Sequence, residues 1–159
     1  MASEWPSFVR QKVTLASALI DMADEQDVTV RQEAGLQGAV ALLRDAQRGL
    51  LTLIADFYQK PDQQPQSAAE LAECLQQPSP ETEELARLEA DVGSWWHHIG
   101  QLSVRDQRPI ARRRPLADRE NMIAVSAASE PDRSVTALKD TAEAMLSYLE
   151  TLVERHAEW

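Results

Sequence analysis

Hydrophobic positions recur at helical spacings along most of the chain, and the clearest series lies in its first half. Seven apolar residues there follow one another at spacings of three and four: Leu36, Ala39, Leu43, Ala46, Leu50, Leu53 and Phe57. This spacing is typical of the a and d positions of a packed helical seam. It predicts a long helix from Val28 or Thr29 to Tyr58.

Three further segments show the same rhythm and predict helices over about 4–24, 80–103 and 132–157. In the first, the main stripe is Trp5, Phe8, Leu15, Leu19 and Met22, with Val9, Val13, Ala16 and Ile20 beside it. In the second, the seam is Leu85, Leu88, Val92, Trp95, Ile99 and Leu102. In the last, it is Val135, Leu138, Ala142, Met145, Leu149 and Leu152.

Prolines and helix-capping residues separate these segments. The string KPDQQP over 60–65 predicts a loop, and Ser67 with Glu70 predicts a short helix over about 67–76. Ser79 followed by a proline has the form of an N-cap at the start of the next helix. The segment 104–131, rich in arginine and proline, predicts an irregular loop.

Together these elements predict an all-α protein with four long antiparallel amphipathic helices, a four-helix bundle, plus one short helix and the irregular segment. The chain has 159 residues, of which 43% are hydrophobic and 26% charged. That is the composition of a globular protein with one buried core. We therefore expect a single domain over 1–159.

Charge is distributed unevenly along the chain. Six arginines and two aspartates give residues 105–119 a net charge of +4, so the rest carries −14 against a total of −10. Guanidinium groups bind phosphate and carboxylate in a bidentate manner. The candidate anion-binding residues are therefore Arg108, Arg112, Arg113 and Arg114. The alternative is that these arginines only neutralise the acidic helices beside them, and the acidic background disfavours nucleic acid as a partner.

No catalytic, cofactor or metal signature is present in the sequence. A helical di-metal site needs a Glu-x-x-His on each of two helices, but Ser94 and Trp95 stand three residues before His97 and His98. Neither H-E-x-x-H nor a phosphate-binding glycine loop occurs. The sequence therefore predicts a protein that is not an enzyme, with no catalytic residue, no cofactor and no metal site.

The stretch GSWWHHIG over 93–100 places two tryptophans and two histidines side by side. Successive helical residues turn by about 100°, so these side chains fan around a helix and do not converge. Trp95 falls on the predicted core seam, and the two histidines fall on polar faces. Trp96 lies between Gly93 and Gly100, which leaves room for another chain, and these three form the candidate interface. The alternative is that the Trp96 ring packs beneath the arginine loop in a cation–π contact.

Cysteine content and hydropathy bear on location. Cys74 is the single cysteine and cannot form an internal disulfide, which favours a reducing compartment. No apolar run approaches the roughly 18 residues that a membrane-spanning helix needs. We expect a cytoplasmic protein that does not interact with membranes.

The opening WPSFVRQKVTLASALID, the tryptophan-containing helix, the arginine loop and the NMIAVS segment before the last helix are similar to an uncharacterised family of short helical proteins from Gram-negative bacteria. The resemblance covers most of the chain and implies a bacterial cytoplasmic protein. Its members form a domain of unknown function, so no site residue is carried over. The leading hypothesis is a non-enzymatic bundle that acts through protein–protein interaction, as a homodimer or with another partner. The alternative is an anion- or nucleic-acid-binding regulator that uses residues 105–119.

Overall fold

The computed structural model describes residues 2–109 and 130–157 and shows an all-helical protein over those ranges. Its six helices are α1 (Trp5–Asp24), α2 (Thr29–Phe57), α3 (Ala68–Leu75), α4 (Pro80–Ala90), α5 (Trp95–Asp106) and α6 (Val135–Ala157). The prediction of an all-α protein is confirmed, and the segments predicted for α1, α2 and α3 agree with the structure to within two residues at each end.

The third long helix is the main correction, because α4 and α5 replace the single helix predicted over 80–103. The chain leaves the helix at Asp91, whose Oδ1 accepts a hydrogen bond from the Gly93 amide. Ser94 then starts the next helix by accepting from the His97 amide at 3.1 Å. Val92, expected in the core seam, is therefore 69% exposed in the link between the two helices.

Helix α1 presents a different face to the core than its largest apolar residues suggested. Its buried residues are Val9, Val13, Ala16, Ile20 and Ala23. Leu15 and Met22, expected on the buried stripe, are 46% and 58% exposed. The core therefore centres on the residues predicted beside that stripe, and three glycines of α2, Gly35, Gly38 and Gly49, lie against α1.

Those glycines let the two helices approach closely. A Cβ added at Gly35 would stand 2.9 Å from the Cβ of Ala23, and one added at Gly49 would stand 3.0 Å from Val9 and Phe8. Glycine weakens an isolated helix by about 1 kcal/mol relative to alanine. Here that cost is offset by dense packing, since α1 and α2 run antiparallel and in contact over most of the length of α1.

The remaining helices complete the core around this hairpin. Helix α6 runs antiparallel to α1, because Arg10 of α1 pairs with Glu150 of α6 while Asp21 pairs with Lys139. Helix α5 lies between α2 and α6 and contacts both. The largest fully buried side chains come from all six helices: Ile20, Leu43, Leu50, Leu51, Leu53, Ile54, Leu71, Leu85, Ile99, Leu102, Leu138 and Met145.

The last helix starts three residues later than predicted, at Val135. Ser134 accepts a hydrogen bond from the Ala137 amide, and Asp132 accepts one from the Ser134 amide. The N-cap of α6 is therefore Ser134. Residues 104–106, predicted to belong to the irregular loop, form the end of α5.

Over the described ranges, no helix combines the length and the apolar character needed to span a membrane.

Candidate functional site

A cavity of about 780 Å³ opens between α2 and α5, at the end of the molecule where the described chain stops at Pro109 and resumes at Glu130. Helix α2 supplies Arg44, Gln47 and Arg48 to its wall, and α4 supplies Glu89. The residues from α5 and its C-terminal end are Trp96, His97, Gly100, Gln101, Ser103, Val104, Arg105, Asp106, Gln107 and Arg108. The cavity therefore joins part of the predicted interface with part of the predicted arginine site.

The three residues of the predicted interface do not share one surface. Trp96 and Gly100 line this cavity, whereas Gly93 lines a separate depression beside Trp95 and His98. Trp96 is only 5% exposed, so its ring offers little surface for direct contact, and its role at an interface stays a prediction. Its ring packs edge-on against Trp95 with centroids 5.5 Å apart. Because α4 ends at Ala90 and α5 starts at Trp95, Trp96 does not occupy the position that one continuous helix over 80–103 would give it.

Gly100 is predicted to leave room beside Trp96, and it lies in the wall of this cavity. A Cβ built at this position would meet no atom of the described residues within 4 Å. Gly100 also lies within α5, where any side chain fits the helical backbone without strain. The space above Gly100 is therefore part of the cavity, and a longer side chain placed there would enter it.

A buried amide connects the two walls. The side chain of Gln47 is 1% exposed and donates from Nε2 to the backbone carbonyl of Trp96 at 3.3 Å. Its Oε1 accepts a hydrogen bond from Arg44. A buried polar group left without partners would be costly, so these two bonds fix the amide and orient the Arg44 guanidinium. This link could not be predicted from the sequence, because Gln47 lies directly beside a seam of leucine and alanine.

Arg44 and Arg48 make this part of the cavity electropositive. They stand four residues apart on α2 and therefore on one side of it. Among the described residues, neither guanidinium lies within 4.0 Å of a carboxylate. Burial, followed by repulsion from Arg48, lowers the pKa of Arg44, and Glu89 only partly offsets this. Two adjacent arginines held in this way favour the arrival of an anion.

The other end of the cavity is already neutralised. Glu33 accepts a hydrogen bond from Arg133 at 2.7 Å, and this bond, followed by one from Gln37, lowers the pKa of Glu33. Arg105 pairs with Asp106 at 3.2 Å and approaches Glu33 at 3.8 Å. Within the described ranges, the buried Arg105 Nε and Asp106 Oδ2 have no hydrogen-bond partner. This end therefore supplies polar groups but little net charge.

The structure describes one of the four arginines predicted to bind an anion. Arg108 lines the cavity and is exposed. Arg112, Arg113 and Arg114 lie outside the described residues, as does the expected contact between the arginine loop and Trp96. Arg44 and Arg48, which sequence reasoning missed, are the arginines that the fold adds to Arg108. Only the three-dimensional packing of α2 against α5 brings them together.

The two adjacent histidines face different partners, as their helical positions predicted, but neither is simply solvated. His97 Nδ1 lies 2.8 Å from the backbone carbonyl of Glu89. His98 connects α5 to α6: its Nδ1 lies 2.6 Å from the Thr141 hydroxyl, and its Nε2 lies 2.7 Å from the Asp132 carbonyl. Both histidines therefore stabilise the packing around α5.

A second polar cluster lies where α4 meets the end of α6, away from the cavity. Glu81 is fully buried and accepts hydrogen bonds from Tyr58 at 2.6 Å and Arg155 at 2.8 Å, and His156 Nε2 stands 3.2 Å away. Burial alone would raise the pKa of Glu81, but the bonds from Tyr58 and Arg155 outweigh it and lower the pKa to about 2. His156 also stacks on Phe57 with centroids 4.2 Å apart. Glu81 is thus an ionised carboxylate in a saturated structural network.

The arrangement can bind an anionic group at the cavity, which is its clearest chemical capability. Within the described ranges, no three His, Cys, Asp or Glu side chains are grouped so that they could hold a metal ion. The described histidines direct ring nitrogens toward backbone or side-chain groups of the protein itself. The cavity therefore offers guanidinium groups, amides and one aromatic wall as its binding groups.

Comparison with known proteins gives one match. The model of a family described as a family of unknown function (DUF6586) matches residues 4–159. No curated protein and no solved structure matches the chain.

Proposed function

We propose that this chain, which belongs to the family of unknown function DUF6586, is a non-enzymatic binding module that acts through contact with another protein and uses the cavity between α2 and α5 for recognition. The observation that carries the proposal is the pair Arg44 and Arg48, which face the cavity with no carboxylate within 4.0 Å among the described residues. Arg44 is partly buried and Arg48 is exposed. Guanidinium groups that have no carboxylate partner among the described residues favour the binding of a complementary group.

The shape of the cavity supports a protein ligand. It is open to solvent, it spans elements from both halves of the chain, and its wall mixes arginines with carboxylates and a tryptophan. A mixed polar surface with an aromatic and arginine component is typical of protein interfaces. The partner is either a different protein or a second copy of this chain, and sedimentation of the purified protein distinguishes the two.

Affinity purification from the native cell, followed by mass spectrometry, tests the proposal. Three baits are compared: the wild type, Gly100→Glu and Thr14→Glu. Gly100→Glu places a carboxylate in the open space of the cavity, whereas Thr14→Glu makes the same charge change on the exposed face of α1. We expect a partner that the wild type and Thr14→Glu both retain and that Gly100→Glu loses. A partner retained equally by all three baits would place recognition outside the cavity.

Three broader features belong to the same proposal. We interpret α1, α2, α6 and the α4–α5 pair as the four sides of a four-helix bundle, supported by the antiparallel contacts of α1 with α2 and of α1 with α6. The lone cysteine supports a cytoplasmic location. The resemblance in sequence supports an origin in Gram-negative bacteria.

A further inference from the structure

We infer that the Arg44–Arg48 end of the cavity is a carboxylate-binding subsite and that it recognises an acidic peptide segment of the partner, an inference that rests on the proposed function. Among the ionised groups of a protein, the carboxylate is the one that matches the fork of guanidinium donors. The structure presents two such forks side by side, and a third arginine stands at the rim.

The subsite is oriented before any ligand arrives. Arg44 is half-buried and donates a hydrogen bond to Gln47, and Gln47 is in turn fixed by the Trp96 carbonyl. A side chain held in place by a neighbouring bond loses less conformational entropy on binding than a free one. Arg48, four residues later, is exposed and can close over a bound group. The pair thus combines a fixed arginine with an adaptable one.

The surroundings favour a peptide over a polyphosphate or nucleic acid. The cavity wall also carries Glu33, Glu89, Asp106 and Glu130, so its charge is mixed. The whole chain has a net charge of −10, which repels a long polyanion. Trp96, the tryptophan of the wall, is 5% exposed and therefore offers little surface for stacking a base. An acidic peptide can place one or two carboxylates on the arginines and leave neutral backbone along the rest of the wall.

The test uses the full chain and defined probes. An acetylated and amidated hexaglutamate peptide is titrated into protein labelled with ¹⁵N, and the arginine Nε–Hε signals are followed by NMR. Inorganic phosphate, a short single-stranded DNA and an uncharged glycine–serine peptide are titrated in parallel. The two variants compared with the wild type are Arg44→Gln/Arg48→Gln and Arg31→Gln/Arg87→Gln. Both remove two positive charges, but Arg31 and Arg87 are exposed and lie outside the cavity.

We expect hexaglutamate to shift the Arg44 and Arg48 signals and the glycine–serine peptide to shift neither. The Arg44→Gln/Arg48→Gln variant should bind hexaglutamate about tenfold more weakly or worse, since two charge-assisted hydrogen-bonding groups are lost. The Arg31→Gln/Arg87→Gln control should bind like the wild type. This pattern would support the carboxylate subsite.

Three results would overturn the inference. In the first, hexaglutamate at millimolar concentration leaves the arginine signals unchanged. In the second, both double variants lose hexaglutamate binding to the same extent. The third is binding of phosphate or DNA, but not hexaglutamate, with the same dependence on Arg44 and Arg48. None of these results decides the proposed function, because the capture experiment with Gly100→Glu tests the cavity itself. If Gly100→Glu loses the partner but hexaglutamate does not bind, the cavity remains the recognition site and the carboxylate-binding subsite is rejected.

Discussion

Two glycines in similar helical settings differ in what surrounds them. A side chain at Gly35 would meet the Ala23 Cβ at 2.9 Å and the Leu19 carbonyl at 3.3 Å, and neither can swing away. A Cβ at Gly100 would meet nothing within 4 Å in the part of the chain that the structure describes. The sequence shows both as glycines inside predicted helices, and only the packing of α1 on α2 separates a required glycine from a replaceable one.

Alanine substitution should therefore have opposite effects at these two positions. Gly100→Ala should raise the free energy of unfolding by about 0.5–1 kcal/mol, because alanine favours the helix and no neighbour is displaced. Gly35→Ala should lower it by about 1–3 kcal/mol, because α1 must move to admit the methyl group. Urea denaturation followed by circular dichroism measures both, and a stabilised Gly35→Ala would show that the close approach of the helices is not required.

Glu81 shows how a single residue can serve both a local and a long-range role. It lies in the first turn after the Ser79 cap, where a carboxylate interacts favourably with the helix dipole. Its place beside a cap can be read from the sequence. The sequence does not indicate that this carboxylate is fully buried and bonded to Arg155, which lies 74 residues later. Burial of a charge is tolerated here because Tyr58, Arg155 and His156 surround it.

The lowered pKa of Glu81 predicts a defined loss of stability in acid. Its folded-state pKa of about 2 lies below the value near 4.5 of a free glutamate, so its contribution is fully present above the unfolded value and is lost as pH falls toward 2. We expect a contribution of about 1–3 kcal/mol at neutral pH. In the wild type, the free energy of unfolding should fall between pH 5 and pH 2 as Glu81 is protonated. In Glu81→Gln this contribution to the fall should be absent, as measured by unfolding at a series of pH values.

Glu150 provides the matched control, because its pairing with Arg10 is about half exposed. Glu150→Gln should change stability little at neutral pH and leave the acid profile close to that of the wild type. If Glu81→Gln and Glu150→Gln gave the same profile, Glu81 would not be the buried carboxylate that the structure shows.

At the scale of helices, the break between α4 and α5 determines the site. The hydrophobic periodicity predicted one continuous helix here, because Leu85, Leu88, Ile99 and Leu102 keep helical spacing on both sides of the break. The residues that produce the break, Gly93 and Ser94, carry ordinary turn and capping signals that the seam pattern outweighed. Because α5 begins anew at Trp95, Trp96 turns inward and Gly100 faces the cavity.

Ser94 should be important for this geometry. Its hydroxyl accepts from the His97 amide and donates to the Leu88 carbonyl, so it both caps α5 and closes the end of α4. Ser94→Ala should lower the free energy of unfolding by about 1–2 kcal/mol. Thr14→Ala, on the exposed face of α1, is the control and should leave stability unchanged within about 0.5 kcal/mol. Equal effects would mean that Ser94 contributes no cap.

His98 connects α5 to α6 through two hydrogen bonds of defined direction. A carbonyl can only accept, so Nε2 must carry the proton donated to Asp132; in the neutral form of the ring, Nδ1 then accepts from the Thr141 hydroxyl. We expect ¹⁵N NMR of the neutral imidazole to show the Nε2–H tautomer. In Thr141→Val the Nδ1 bond is lost, and α6 should loosen at its N-terminal end. An Nδ1–H tautomer in the wild type would contradict this link.

At the scale of the whole molecule, the helical class and the order of most elements followed from the sequence because they depend on local periodicity and caps. The cavity did not, because it depends on which faces of α2 and α5 meet. Arg44 and Gln47 lie beside the strongest seam in the chain, and no sequence pattern distinguishes them from surface residues of the same helix. Arg108 lines the same cavity, and its role in binding an anion stays a prediction.

The central claim is that the cavity between α2 and α5 is the recognition site, and the tryptophan indole signals of ¹⁵N-labelled protein test it most directly. Trp96 lines the cavity, whereas Trp5, on α1, and Trp95, packed against Tyr148, do not. On addition of the captured partner, we predict that the Trp96 Nε1–H signal shifts while the Trp5 signal stays in place. A partner that shifts Trp5 and leaves Trp96 unchanged would contradict the account.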